Sequence, residues 1–125
     1  MTFPPDLVRN LGKEDKPEFA WMNGKFVRLN EAKVPLLTHS LHYGSAVFEG
    51  IRFYSAEKGT ALFRLDDHLG RLLKGASIAG MNLPYSKSQL AGAIKSLIKM
   101  NCLKDGYIRP LAYYGQGAMQ VIPHK

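Results

Sequence analysis

The stretch His42-Tyr43-Gly44-Ser45-Ala46-Val47-Phe48-Glu49-Gly50-Ile51-Arg52-Phe53-Tyr54 joins a glycine-bearing turn to a predicted β-strand. From Val47 onward its residues suit a strand, in which successive side chains point to opposite faces. One face combines an aromatic wall, a gap without a side chain and a guanidinium: Phe48, Gly50, Arg52 and Tyr54. A strand glycine often marks the close approach of a ligand, and arginine binds carboxylates and phosphates well. This face is therefore either the floor of a small-molecule pocket or the solvated side of an amphipathic strand.

Length and composition predict a single globular domain. The chain has 125 residues, of which 46% are hydrophobic and 22% charged, which is typical of soluble proteins. No apolar run approaches the roughly 18 residues of a membrane span. The first residues carry prolines and charges instead of the apolar core of a signal peptide. We therefore expect a cytoplasmic protein without membrane contact, with an N-terminal arm over residues 1–18 and a domain over residues 19–125.

Charge and ligand chemistry exclude several function classes. The net charge is +7, but the lysines are scattered, so we expect no nucleic-acid partner. An anionic small ligand, or an acidic second half of a larger protein, accounts for the excess equally well. Cys102 is the only cysteine, and the four histidines lack metal-ligand spacing, so no metal site is predicted.

The first half of the chain predicts antiparallel pairing. Asn23-Gly24 lies between two short apolar runs and suits the two positive-φ positions of a hairpin turn. After the strand that begins at Val47, residues 55–60 are typical of a turn and residues 61–65 of a returning strand.

Two helices and a last strand follow. Asp66 or Asp67 suits the N-cap of a helix that runs to about Gly80. Ser86 begins a second helix with capping-box spacing, and this helix is expected to end near Asn101. Residues 107–114 form the last strand, with a proline that indicates an edge or a bulge. The element order predicts an α+β two-layer sandwich, with a mainly antiparallel sheet and helices on one face.

Arginines near aromatic residues are the remaining candidates for chemistry. Arg52 and Arg109 lie on predicted strand faces, and Arg71 lies four residues after Asp67 on the first long helix. Taken alone, Arg71 suits a surface ion pair with Asp67. Because like charges repel, convergence of the three arginines would require an anionic ligand that carries carboxylate or phosphate groups.

Three blocks of the sequence resemble the N-terminal half of the branched-chain amino-acid aminotransferases, which are fold-type IV enzymes that use pyridoxal 5′-phosphate. The blocks are His42-Tyr43-Gly44-x-x-Val47-Phe48-Glu49-Gly50-Ile51-Arg52, Phe63-Arg64-x-x-x-His68-x-x-Arg71-Leu72 and Tyr107-Ile108-Arg109-Pro110. Their order and separations match over about residues 21–123. The resemblance implies transfer of the amino group between leucine, isoleucine or valine and 2-oxoglutarate, with glutamate as the acidic partner.

The resemblance also implies a role for each matching residue. Arg71 would bind the cofactor phosphate. Tyr107 would hydrogen-bond the substrate carboxylate, and Arg109 would receive the distal carboxylate of glutamate. Phe48, Gly50 and Arg52 would line the pocket for the branched side chain. Tyr43 would reach the active site of a neighbouring subunit, because the family forms dimers or larger oligomers built from dimers.

The family's Schiff-base lysine lies in a second, C-terminal domain, and no lysine of these 125 residues has a matching context. We therefore expect residues 19–125 to be the small domain alone, without a catalytic residue of its own and inactive as it stands. Two alternatives remain open. One is a D-amino-acid or amine transaminase, or an aminodeoxychorismate lyase, of the same fold; the other is a non-catalytic binding or assembly module.

Overall fold

The computed structural model describes residues 17–115, and the expected arm lies almost entirely outside them. The described chain begins with a hairpin of β1 (Phe19–Met22) and β2 (Lys25–Arg28). Asn23 and Gly24 both have positive φ, 52° and 88°, which confirms the predicted turn. A short 3-10 helix, Leu29–Glu31, ends this unit.

The predicted opening strand is two strands, preceded by a helix that the sequence did not predict. Helix α1 (His39–Tyr43) ends at Gly44, whose φ of 65° is the left-handed conformation common at helix ends. Strands β3 (Ala46–Phe48) and β4 (Ile51–Ala56) follow, with a gap at residues 49–50.

The remaining elements are β5 (Gly59–Leu62), α2 (Leu65–Ile78), α3 (Lys87–Met100), β6 (Gly106–Ile108) and β7 (Leu111–Tyr113). The prediction of an aspartate N-cap for α2 was wrong, because Arg64 occupies that position with φ of 52°. The predicted capping box of α3 is confirmed, and α3 ends at Met100 with Asn101 as its C-cap, next to the expected position. The single predicted last strand is divided into β6 and β7 at residues 109–110, next to Pro110.

The two gaps lie opposite each other. Strand β3 pairs with β7 and strand β4 pairs with β6, both antiparallel. Phe48 lies opposite Leu111 and Ile51 lies opposite Ile108, so the register is the same on both sides of the gap. Within the gap, the amide of Glu49 still donates to the carbonyl oxygen of Pro110 at 3.1 Å. We refer to β3, β4, β6 and β7 together as the ribbon.

Helices α2 and α3 pack on one face of the ribbon. The core joins Ile51 and Phe53 of β4 to apolar residues of both helices: Leu69, Leu72, Leu90, Ile94 and Ile98. The face of β4 that carries Arg52 and Tyr54 is exposed. The predicted α+β class, antiparallel pairing and placement of helices are thereby confirmed. Among residues 17–115, no helix has both the length and the apolar character that a membrane crossing requires.

Candidate functional site

The face of the ribbon that points away from the helices collects most of the predicted site residues. Because residues opposite each other in an antiparallel pair share a face, the pairing of Arg52 with Tyr107 and of Phe48 with Leu111 places both predicted faces on one surface. We call this surface the outer face. Its members are Phe48, Gly50, Arg52, Tyr107, Arg109 and Leu111.

Gly50 provides the space into which Tyr107 folds. A Cβ atom added at Gly50 would overlap the hydroxyl oxygen of Tyr107 and lie 2.5 Å from its Cζ atom. The same hydroxyl accepts a hydrogen bond from Nη2 of Arg109 at 3.0 Å. The tyrosine ring is therefore laid across the gap in the ribbon, with its phenol group beside the guanidinium.

Arg109 is held by two aromatic rings. Its Cζ atom lies 4.4 Å from the ring centre of Phe48 and 5.3 Å from that of Tyr107, within cation–π range. Phe48 and Tyr107 are 59% and 40% exposed, so apolar surface and positive charge are presented side by side. Such a surface can accept an apolar side chain and a carboxylate within a few ångströms of each other.

Arg52 and Tyr43 are less constrained. Arg52 is exposed on β4, on the outer face. Tyr43 is the last residue of α1, and 43% of its surface is exposed. Its ring packs against that of His39, with 4.5 Å between the ring centres. The predicted contact of Tyr43 with a neighbouring subunit stays a prediction.

Arg71 lies on the helix side of the ribbon and is paired with Glu49. Its Nε and Nη2 atoms donate to the two carboxylate oxygens at 2.6 and 2.7 Å. The interpretation of Arg71 as a partner of Asp67 was wrong, since Asp67 accepts instead from Nε of Arg64 at 2.9 Å. Arg109 contacts Tyr107 and Phe48. The convergence of Arg52, Arg71 and Arg109 on one anion stays a prediction.

Glu49 is a buried carboxylate that the sequence analysis did not single out. Its side chain is 8% exposed, and its Oε2 atom also lies 3.0 Å from Nδ1 of His68. Because an ionised carboxylate only accepts hydrogen bonds, this histidine nitrogen carries the proton. The Arg71 hydrogen bond, assisted by that of His68, overcomes the cost of burial and lowers the pKa of Glu49 from 4.5 to about 2. The pKa of Arg71 is raised by the same contact.

One feature of the sequence did indicate a buried Glu49, which is its position in the alternation of side chains between the two faces of the predicted strand. It falls on the same face as Val47, Ile51 and Phe53, where a carboxylate must find a cationic partner. Within residues 17–115, the structure contains no group of three histidine, cysteine or acidic side chains that could hold a metal ion.

Comparison with known proteins identifies the family. The sequence profile described as Amino-transferase class IV matches residues 46–124, which include the whole ribbon, α2 and α3. The chain belongs to this family.

This class IV aminotransferase chain is similar to several branched-chain-amino-acid aminotransferases. It is 41% identical over 105 residues to the Pseudomonas aeruginosa protein, a match that covers 84% of this chain and 34% of that protein. Its fold matches the Escherichia coli enzyme with a TM-score of 0.84 at 41% identity, covering 87% of this chain and 37% of that one. The T.th. enzyme complexed with N-(5′-phosphopyridoxyl)-L-glutamate matches with a TM-score of 0.83 at 45% identity, covering 86% and 36%.

The class IV aminotransferase chain thus spans about a third of the length of the relatives that it matches. The matched third contains the outer face and the Glu49–Arg71 pair.

Proposed function

We propose that this chain supplies the substrate-recognition face and a phosphate ligand of a branched-chain aminotransferase that uses pyridoxal 5′-phosphate. The observation that carries the proposal is the outer face, where Phe48 and Tyr107 flank Arg109. A transaminase of this type must accept an apolar amino acid and an acidic one in turn. An aromatic wall with a guanidinium at its centre suits both ligands.

In the proposed reaction, the amino group of leucine, isoleucine or valine passes to 2-oxoglutarate, which becomes glutamate. Arg109 would bind the distal carboxylate of the acidic substrate through donors that Tyr107 does not occupy. Tyr107 would hydrogen-bond the substrate carboxylate, and Phe48 with Gly50 and Arg52 would surround the branched side chain. Similarity to an enzyme complexed with a phosphopyridoxyl-glutamate compound supports the pairing of this face with glutamate.

The residues present fit the cofactor's phosphate. Arg71 is cationic and 71% exposed at its side chain, and the Glu49 contacts leave both Nη1 hydrogens and one Nη2 hydrogen for an anion. The bound cofactor would supply the electron sink for amino-group transfer. In this proposal the Schiff-base lysine belongs to a C-terminal domain beyond these 125 residues, so the isolated chain has no transaminase activity. Dimerisation, with Tyr43 near the partner's site, and a cytoplasmic location complete the proposal.

The test uses the full-length gene product. We expect cofactor absorbance and leucine-dependent formation of glutamate from 2-oxoglutarate. Replacing Arg109 by alanine should raise the KM for 2-oxoglutarate far more than the KM for leucine, because only the former carries a distal carboxylate. A full-length protein without either signal would contradict the proposal.

Two further measurements address the alternatives. A panel of L- and D-amino acids separates branched-chain transfer from D-amino-acid or amine transfer and from lyase activity. Reduction of the isolated chain with borohydride in the presence of pyridoxal 5′-phosphate, followed by mass spectrometry, tests the location of the lysine. Selective labelling of one lysine here would show that these residues contain it after all.

A further inference from the structure

We propose that Glu49 is a positioning residue. It holds the guanidinium of Arg71 so that the edge not bonded to Glu49 is presented to a phosphate monoester. This inference rests on the proposed phosphate role of Arg71 and adds a second residue to that site. Glu49 itself would not touch the phosphate. Its contribution would be to fix the direction in which the guanidinium points.

The contact between the two residues selects one edge of the guanidinium. Glu49 accepts from Nε and Nη2, which are adjacent on the planar group. The opposite edge, formed by Nη1 and the second Nη2 hydrogen, is not used by Glu49. Since the Arg71 side chain is 71% exposed, this edge can meet an anion from solvent. Arg71 is therefore both oriented and accessible.

Glu49 is itself fixed from two directions. Its side chain is 8% exposed and is held by Nδ1 of His68 on the same helix as Arg71. Its backbone amide donates to the carbonyl oxygen of Pro110 across the gap in the ribbon. The orientation of Arg71 is thus set by the ribbon as well as by α2, through a carboxylate that the low pKa keeps ionised.

A purely structural role makes the opposite prediction for ligand affinity. If the pair only anchored α2 to the ribbon, neutralising Glu49 would leave Arg71 with less negative charge beside it. Coulomb attraction for phosphate would then rise. If Glu49 positions Arg71, the same change frees the long side chain, and ordering it again on binding costs affinity. The sign of the change in Kd therefore separates the two roles.

The experiment compares Glu49→Gln with Glu57→Gln in the ¹⁵N-labelled full-length apoprotein, in which the rest of the proposed cofactor site is present. Glu57 is exposed in the β4–β5 turn, so its replacement makes the same charge change away from the site. The probes are inorganic phosphate and pyridoxamine 5′-phosphate, which lacks the aldehyde that would react with lysines. Binding is followed by the shift of the Arg71 Nε–H resonance and of backbone amides. If inorganic phosphate binds with the same Kd as pyridoxamine 5′-phosphate, the phosphate is the group that the protein recognises.

We expect Glu49→Gln to raise the Kd for pyridoxamine 5′-phosphate about three- to tenfold and to shift the Arg71 Nε–H resonance even without ligand. Glu57→Gln should change the Kd by less than about twofold, since exposed distant charges are screened. An unchanged or lower Kd for Glu49→Gln would overturn the inference. If that variant loses its folded amide spectrum, His68→Ala decides, with an expected rise of about threefold and with no rise as the contrary result.

Failure of the underlying phosphate role has a different signature. Arg71→Ala should raise the Kd in both titrations about tenfold or more. If the unmodified full-length apoprotein gives no saturable response, the proposed cofactor site itself is rejected. If Arg71→Ala binds as tightly as the unmodified protein, Arg71 is not the phosphate ligand. That result rejects the role of Arg71, whereas an effect of Arg71→Ala without an effect of Glu49→Gln rejects only the positioning role of Glu49.

Discussion

The hydroxyl group of Tyr107 lies where a side chain at Gly50 would begin. Gly50 lies in the gap between β3 and β4, Tyr107 lies on β6, and the glycine leaves the ring room to reach Arg109. A residue without a side chain thereby determines where a phenol and a guanidinium meet.

Replacing Gly50 by alanine should displace the Tyr107 ring and break its hydrogen bond with Arg109. Because Tyr107 is partly exposed and can swing outward, we expect a loss of stability of only about 1 kcal/mol. The ring and guanidinium resonances of Tyr107 and Arg109 should nevertheless shift strongly. Gly92→Ala is the control, since nothing lies within 4 Å of the added Cβ atom. That helical change should stabilise the protein by about 0.5–1 kcal/mol. Unshifted Tyr107 resonances in Gly50→Ala would contradict the prediction.

Acid should weaken the fold through Glu49. Its folded pKa of about 2 lies below the ordinary 4.5, so its contribution is complete above pH 4.5 and is lost as the pH falls toward 2. Solvent screening on the exposed Arg71 side limits this contribution to about 1–2 kcal/mol. Urea unfolding between pH 6 and about 2.5 measures it. Glu49→Gln should flatten this part of the pH dependence, whereas Asp66→Asn, which removes an exposed ion pair with Lys87, should not. Equal slopes in all three proteins would count against the prediction.

Asn101 should hold the N-terminal hairpin to α3. Its Oδ1 atom accepts from the amides of Glu18 and Phe19 at 2.7 and 2.9 Å, and its Nδ2 donates to the carbonyls of Phe19 and Leu97. Asn101→Ala leaves partly buried backbone groups unpaired, so we expect a loss of about 1–3 kcal/mol. Hydrogen exchange should accelerate in β1 and β2 before it does in β4. The exposed Asn82→Ala is the control; comparable losses in the two variants would refute a special role for Asn101.

The capping box should contribute measurably to α3. The Ser86 hydroxyl accepts from the amide of Gln89 at 3.1 Å, and the Gln89 side chain accepts from the amide of Ser86 at 2.8 Å. We expect Ser86→Ala to lower the free energy of unfolding by about 1 kcal/mol. Thermal unfolding with Ser88→Ala as control tests this, because Ser88 is exposed within the helix and alanine favours helix there. A lower midpoint for Ser88→Ala than for Ser86→Ala would show that the cap contributes little.

Local chemistry made much of the fold predictable from sequence. Asn23-Gly24 encodes its own turn, and Ser86 with Gln89 encodes its own helix start, because both devices act within four residues. The alternation from Val47 to Tyr54 correctly separated buried from exposed side chains, even though the strand itself is interrupted. Period-two patterns report which face a residue occupies and carry no information about which hydrogen bonds are missing.

The parts that sequence did not predict depend on distant partners. The gap at residues 49–50 lies opposite the gap at residues 109–110, and neither segment alone indicates the other. The position of Arg64 at the start of α2 requires a positive φ that an arginine seldom adopts. Likewise, the pairing of Glu49 with Arg71 crosses from a strand to a helix, so spacing along the chain favoured the incorrect partner Asp67.

The shared register on both sides of the gap restricts which length changes the domain can accept. Deleting Gly50 alone would move every later residue of β4 to the opposite face, exchanging Ile51 and Phe53 for Arg52 and Tyr54 in the core. A matching loss of one residue at the opposite gap would keep Ile51 paired with Ile108, but β4 and β6 would then both be inverted relative to β3 and β7. Insertions and deletions in this part of the chain should therefore survive natural variation or laboratory evolution only as changes of two residues, which keep the faces, made equally on both sides, which keeps the register.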